Sequence, residues 1–306
     1  MKKSMVLCAV VVACLALVPR ADGAKMYWTD TGEPGRVSRA DLDGTNPETL
    51  VMVNFTSPRG IALDVAGGKM YWTDSDTDSV RRADLDGTDL EDLVTSGLVI
   101  PGEVVLDVPG GKMYWADTGT ASIRRANLDG TGAENVIDSG LSSPHGMALN
   151  LAAGKMYWTD WGSNKVQRAN LDGTNIEDLV TAGLTNPYGI ALDVAAGKMY
   201  WTDYSAAKIQ RANLDGSNVD DLVTSGLAEP YGIALDVAAG KMYWTDASAN
   251  KIQRANLDGT GVEDLITSGV QDPFGIAIDL TPDAVVPEPA ALGLLGLTML
   301  VARRRR

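Results

Sequence analysis

The 306 residues carry 26 Lys and Arg against 40 Asp and Glu, a formal charge of −14, and are 45% hydrophobic and 22% charged. That apolar content excludes a mostly disordered chain, and the acidity excludes a surface built to neutralise nucleic-acid phosphates or anionic lipid. Thirty-three glycines and 13 prolines beside a single histidine and two cysteines specify many tight turns and little side-chain chemistry.

Residues 1–23 begin with Lys2 and Lys3, run apolar from Met5 to Val18 and end in Ala21-Asp22-Gly23. This is the pattern of a secretory signal peptide cleaved after Gly23. A loose lipobox at Val11-Val12-Ala13-Cys14 is the weaker reading, because apolar residues continue past Cys14. Cys8 and Cys14 both fall inside the leader, so the exported chain has no cysteine and its stability rests on packing and topology.

From Lys25 onward the chain repeats. Lys-Met-Tyr-Trp begins at Lys25, Lys69, Lys112, Lys155, Lys198 and Lys241, a spacing of 43 or 44 residues. Each unit contains four short strand-like runs, clearest as 188–193, 198–203, 208–213 and 219–224, separated by Gly, Asp-Gly and Pro signals. Met-Tyr-Trp and Ile-Ala-Leu are continuous apolar runs, as strands covered on both faces require. Four strands per unit predict an all-β, six-bladed β-propeller of 24 antiparallel strands over residues 24–280. The repeat starts on a second strand (25–30) and ends on a lone first strand (274–279), so pairing of these two is expected to close the ring and remove its exposed edges.

Tyr-Trp-Thr-Asp stands at Tyr27, Tyr71, Tyr157, Tyr200 and Tyr243, and Tyr-Trp-Ala-Asp at Tyr114. These units resemble the YWTD (class B) repeats of the low-density lipoprotein receptor family. The resemblance implies a ligand-binding or scaffolding propeller without catalytic activity or cofactor. Residues present six times are architectural. Trp28, Trp72, Trp115, Trp158, Trp201 and Trp244 are expected to fill the space between blades. The motif aspartate precedes an arginine by eight residues in five units, as in Asp160 with Arg168 and Asp203 with Arg211, which predicts an ion pair across each hairpin. The Leu-Asp-Gly segments, such as Asp43-Gly44 and Asp215-Gly216, read as tight turns. The acidic run Asp84 to Asp89 also admits calcium but lacks the spacing of a calcium loop, so no metal site is assigned.

Residues 281–306 contain Pro287-Glu288-Pro289, an apolar stretch from Ala290 to Ala302 and four arginines, Arg303 to Arg306. Thirteen helical residues rise about 20 Å, less than a bilayer core of roughly 30 Å. The arginines would hold this end on the cytoplasmic side. This order of elements resembles the PEP-CTERM sorting signal of Gram-negative bacteria. The resemblance implies transient membrane association, cleavage by an exosortase near Pro287-Glu288-Pro289, and delivery to the cell surface or matrix.

Specific function is expected where the units differ. Twelve of the 18 aromatic residues belong to the Tyr-Trp pairs, leaving Phe55, Trp161, Tyr188, Tyr204, Tyr231 and Phe274. Trp161 and Tyr204 follow the motif aspartate, and Tyr188, Tyr231 and Phe274 lie between Pro and Gly before a first strand, where another unit has His145. In an antiparallel blade both loop classes emerge on one face. That face, with Arg59, Glu103 and Asp76 as its charged remainder, is the candidate binding surface for an extracellular protein or polysaccharide. A plug of the channel mouth is the structural alternative for Tyr188, Tyr231 and Phe274. The rival function is a metal-dependent lactonase- or lyase-like enzyme, hinted at only by Glu103 and Asn150, which replace Gly and Asp of the repeat. A self-associating architectural protein is the third.

Overall fold

The computed structural model describes residues 23–53 and 56–281. Phe55, nearly all of the leader and the sorting segment with Pro287, Glu288 and Pro289 lie outside the described residues. Among those described, 24 strands form six four-stranded antiparallel sheets. Blade 1 joins Pro273–Asp279 from the end of the chain to Lys25–Asp30, Gly35–Asp41 and Glu48–Val53. Blades 2 to 6 follow in order, their first strands being Pro58–Asp64, Pro101–Asp107, Pro144–Asn150, Pro187–Asp193 and Pro230–Asp236. At the seam Lys25 is opposite Asp279, Met26 opposite Ile278 and Trp28 opposite Ile276, so the ring closes by the pairing its repeat phase predicts.

Successive side chains of a strand point to opposite faces, and in a blade both faces are covered. Met156 and Trp158 of blade 4 therefore pack against Tyr114, Ile123 and Ile137 of blade 3, while Tyr157 faces Met199 and Trp201 of blade 5. The same arrangement at the seam sets Met26 and Trp28 against Tyr243, Ile252 and Ile266. The six motif tryptophans are all fully buried. In blades 4 to 6 the indole N–H donates to a third-strand glutamine, as Trp158 does to Gln167 at 3.0 Å.

The expected Asp160–Arg168 and Asp203–Arg211 ion pairs do not form, and hairpin register is the reason. Asp160 is opposite Lys165, whereas Arg168 is opposite Tyr157. Three residues of strand, about 10 Å, separate the two charges along the hairpin. Asp160 instead accepts the backbone N–H groups of Ser142 (2.7 Å), Ser143 (3.1 Å) and Ser163 (2.9 Å). It thereby staples the loop entering the first strand to the loop leaving the second. Asp203 does the same with Thr185 and Ala206. Arg168 lies over the ring of Tyr157, pairs with Glu177 at 2.5 Å and donates to the carbonyl of Leu214 in the next blade at 3.1 Å. Arg39, Arg82, Arg211 and Arg254 reach the following blade in the same way, Arg254 crossing the seam to Leu42.

The Asp-Gly segments are the turns the sequence indicates. Asp86 accepts both the N–H and the hydroxyl of Thr88, and Asp84 pairs with Lys69. Gly173, at φ 84°, shows why the next position is glycine: a Cβ there would lie 2.2 Å from the Val136 carbonyl of the preceding blade.

Candidate functional site

Every first strand bulges at the same place. Between Pro187–Asp203 and Ile190–Trp201 two residues, Tyr188 and Gly189, oppose the single Thr202, and all six blades repeat this register shift. A bulge bends the strand and re-aims its side chains. Its first position brings Arg59, Gly102, His145, Tyr188, Tyr231 and Phe274 to one mouth of the central channel. The second position is glycine in five blades because the inner strands converge there: a Cβ on Gly189 would lie 2.4 Å from the Tyr231 carbonyl.

The motif threonine locks this ring. Thr202 accepts the N–H of Gly189 at 2.9 Å and donates to the carbonyl of Tyr231 in the next blade at 2.5 Å. Thr29, Thr73, Thr159 and Thr245 bridge equivalent pairs. Blade 3 has the buried Ala116 at this position, so no hydroxyl bridges Glu103 N–H and the His145 carbonyl. Ala116→Thr is expected to stabilise the protein by about 1 kcal/mol, the net worth of a buried hydrogen bond. Thermal denaturation should show a rise of roughly 2–4 °C; a fall would mean that blade 3 has closed around the smaller side chain.

The two loop classes do share a face. Trp161 N–H donates to the Ser143 carbonyl and Tyr204 N–H to the Asn186 carbonyl, joining each post-motif loop to its pre-strand loop. Five of the candidate residues form one contiguous aromatic body. Phe274 and Tyr231 stack with centroids 4.4 Å apart, Tyr188 meets Tyr231 edge-on at 4.6 Å, and His145 lies 3.8 Å from Tyr188. Tyr204 adds its ring at 5.1 Å from Tyr231, and its hydroxyl donates to Glu229 at 2.9 Å. The Arg59 guanidinium covers Phe274 at 4.7 Å while its Nε donates to Ser75.

This body is a plug as well as a surface. Phe274 and His145 are buried and Tyr188 and Tyr231 half-buried, leaving Trp161, at 37% exposure, as the accessible large aromatic. No ring contact joins Trp161 to the others. Burial drives His145 well below its ordinary value, helped by the charge of Arg59, so the imidazole is neutral. Neither of its ring nitrogens has a hydrogen-bond partner. Burial pushes the Tyr188 hydroxyl up to about 12 and raises that of Tyr231. The mouth is therefore an uncharged aromatic floor with Arg59 at one side.

Glu103 is not part of the rim. The Pro-Gly-Glu order of blade 3 puts Gly102 at the mouth and Glu103 at the second bulge position, inside the channel. The space above Gly102 is taken by His145, whose Nε2 would lie 3.2 Å from a Cβ there. Asp76 is exposed on its loop. Asn150 accepts the Ala153 N–H, as Asp64 accepts that of Gly67, so it stands in for the repeat's turn aspartate. Among the described residues no three His, Cys, Asp or Glu side chains converge closely enough to hold a metal ion. The bulge and the threonine bridge escaped sequence reasoning; their signal was the Pro-X-Gly that opens five of the six first strands and the Thr in five of the six motifs.

Fold and repeat together define a six-bladed propeller of the low-density lipoprotein receptor class B type. The chain belongs to the Virginiamycin B lyase family, which it matches over residues 10–239, and residues 240–280 match the low-density lipoprotein receptor repeat class B. It is similar to low-density lipoprotein receptor-related protein 5 of Mus musculus, 50% identical over 52 residues that make up 17% of this chain and 3% of that protein. It is also similar to the vitellogenin receptor Yl of Drosophila melanogaster, 41% identical over 18% of this chain and 3% of that protein, and to nidogen-2 of Mus musculus, 46% identical over 18% of this chain and 4% of that protein. The chain thus spans a small part of these curated relatives. A chain in the crystal structure of a nidogen/laminin complex superimposes with a TM-score of 0.77 at 25% identity, covering 84% of this chain and 98% of that one.

Proposed function

We propose that this protein is an exported, surface- or matrix-associated propeller that binds a protein or polysaccharide ligand through its aromatic face and is not a catalyst. The observation that carries this reading is the contiguous aromatic body at one channel mouth, flanked by the exposed Trp161. Such a surface presents large area at low entropic cost. Protein is the favoured ligand class, since the similar structure comes from a complex of nidogen with laminin. Polarity of attachment supports it as well. Gly23 and Thr281 bound the described body next to the paired Lys25 and Asp279, on the face opposite the aromatics. A tether through 281–306, processed by an exosortase on a Gram-negative surface, points the aromatic face outward.

The double replacement Trp161→Ala with Tyr204→Ala is expected to weaken retention on extracellular matrix at least about tenfold, with the melting temperature within a degree or two of the parent. Unchanged retention would remove the face from consideration. Family membership favours a second reading, a lyase in which the neutral His145 acts as base. Against it, His145 is sealed beneath Tyr188 and beside Phe274. No conversion of virginiamycin B above the buffer rate is expected, and conversion abolished by His145→Asn would establish the lyase instead.

A further inference from the structure

The inner strands enclose a cavity of about 370 Å³, within the range of small-molecule sites. It begins beneath the glycine ring and runs past Val108 and Leu151, which follow the ends of their first strands. The cavity therefore opens on the face opposite the aromatic mouth. All six positions after the first strands are aliphatic: Val65, Val108, Leu151, Val194, Val237 and Leu280. All but Val65 are exposed, so the opening is rimmed by apolar side chains. The walls are aliphatic throughout, and Glu103 is the one titratable residue among those lining the cavity.

Glu103 is also the one departure from glycine in the ring, and it is compensated. Gly102 takes the place of a bulky mouth residue beside it, and the Cβ position of Gly60 points at the Glu103 Cα from 2.4 Å, leaving its side chain the channel as free space. The carboxyl receives the Ile61 backbone N–H and no cation. One carboxyl without a cationic partner, set at the inner end of an apolar tunnel, gives a hydrophobic site a charge-selective end.

We infer that the channel binds a small linear amine, an apolar chain bearing one primary ammonium, which enters from the face opposite the aromatics and pairs its head with Glu103. A metal ion is the poorer occupant, since a hard cation needs about six oxygen ligands and the walls supply one carboxylate. An ammonium needs three acceptors. The first strand is the edge strand of every sheet, so backbone groups on its outer side have no strand partner, and carbonyls there can complete the set. The alkyl chain then lies along Ile190, Ile233 and Ile276. Because burial holds the Glu103 proton up to about 8, amine binding at pH 7 displaces that proton to solvent. This site is independent of the aromatic face.

Titration calorimetry of the full chain with hexylammonium and with 1-hexanol at pH 7 tests the inference. Hexylammonium is expected to bind at least about tenfold more tightly than hexanol. Comparing buffers of different ionisation enthalpy should show release of nearly one proton per ligand. Glu103→Gln should abolish both the preference and the proton release while binding hexanol like the parent, a control that the channel is intact. Equal affinities for the two ligands, no detectable binding of either, or an unchanged preference in Glu103→Gln would overturn it.

Discussion

A chain lacking residues 273–280 is expected to lose its cooperative fold. The strand Pro273–Asp279 is one of 24, but it is the piece that converts an open array into a ring. Removing it leaves Lys25–Asp30 with an unpaired edge, a template for pairing with another chain. It takes Ile276 from the cluster around Trp28 and Tyr243, so the tryptophan of the first motif meets solvent. It also breaks the lock across the seam, where Thr245 donates to the Phe274 carbonyl at 2.5 Å and Gly275 N–H donates to Thr29 at 2.8 Å. Propeller blades cannot bury both faces alone, so losing the seam exposes two blade faces at once. Calorimetry should show the transition fall by more than about 10 °C or lose its cooperativity, and sedimentation velocity should show association rising with concentration. A deletion protein that remains monomeric and melts like the parent would show that the seam is dispensable.

Blade number, strand order and closure were legible in the sequence because each depends on period and phase, which a 43-residue repeat displays six times. The roles of the repeated charges were not, because they depend on register. Counting eight residues from Asp160 to Arg168 says only that both belong to one hairpin. The register sets Arg168 opposite Tyr157 and frees Asp160 to hold backbone N–H groups. Nor could one unit's sequence show that Arg168 serves the blade after its own, since Leu214 is 46 residues away and meets it only through the ring. The candidate face was legible for a topological reason, that loops before the first strand and after the second emerge together. Depth was not. Glu103 is one residue from the mouth position, and a bulge turns that one residue into the difference between rim and channel. Likewise His145, a rim residue by position, is covered by Tyr188 because Gly102 leaves room for the imidazole to lie down.

Glu103→Gln is expected to stabilise the protein in alkaline solution and not in acid. In the fold Glu103 holds its proton to about pH 8, burial being the cause, while the unfolded chain releases it near 4.5. Between these values the folded state binds more protons than the unfolded state, so stability falls as pH rises. Each pH unit in that window costs at most about 1.4 kcal/mol, on the order of a few kcal/mol when the window has been crossed, since Glu103 is half-buried. Below pH 4 both states are protonated and the penalty vanishes. Glutamine carries no such proton, so the variant should match the parent at pH 4, gain steadily from pH 5 to 8, and melt on the order of 10 °C higher at pH 8.5. Asp30, raised to about 6 by burial, contributes with the same sign between 3.8 and 6 and is common to both proteins. The difference between their melting curves therefore isolates Glu103. A variant no more stable than the parent at pH 8.5 would place the ionised carboxylate in contact with solvent through the channel opening, and with it would go the low-dielectric end that makes the channel selective.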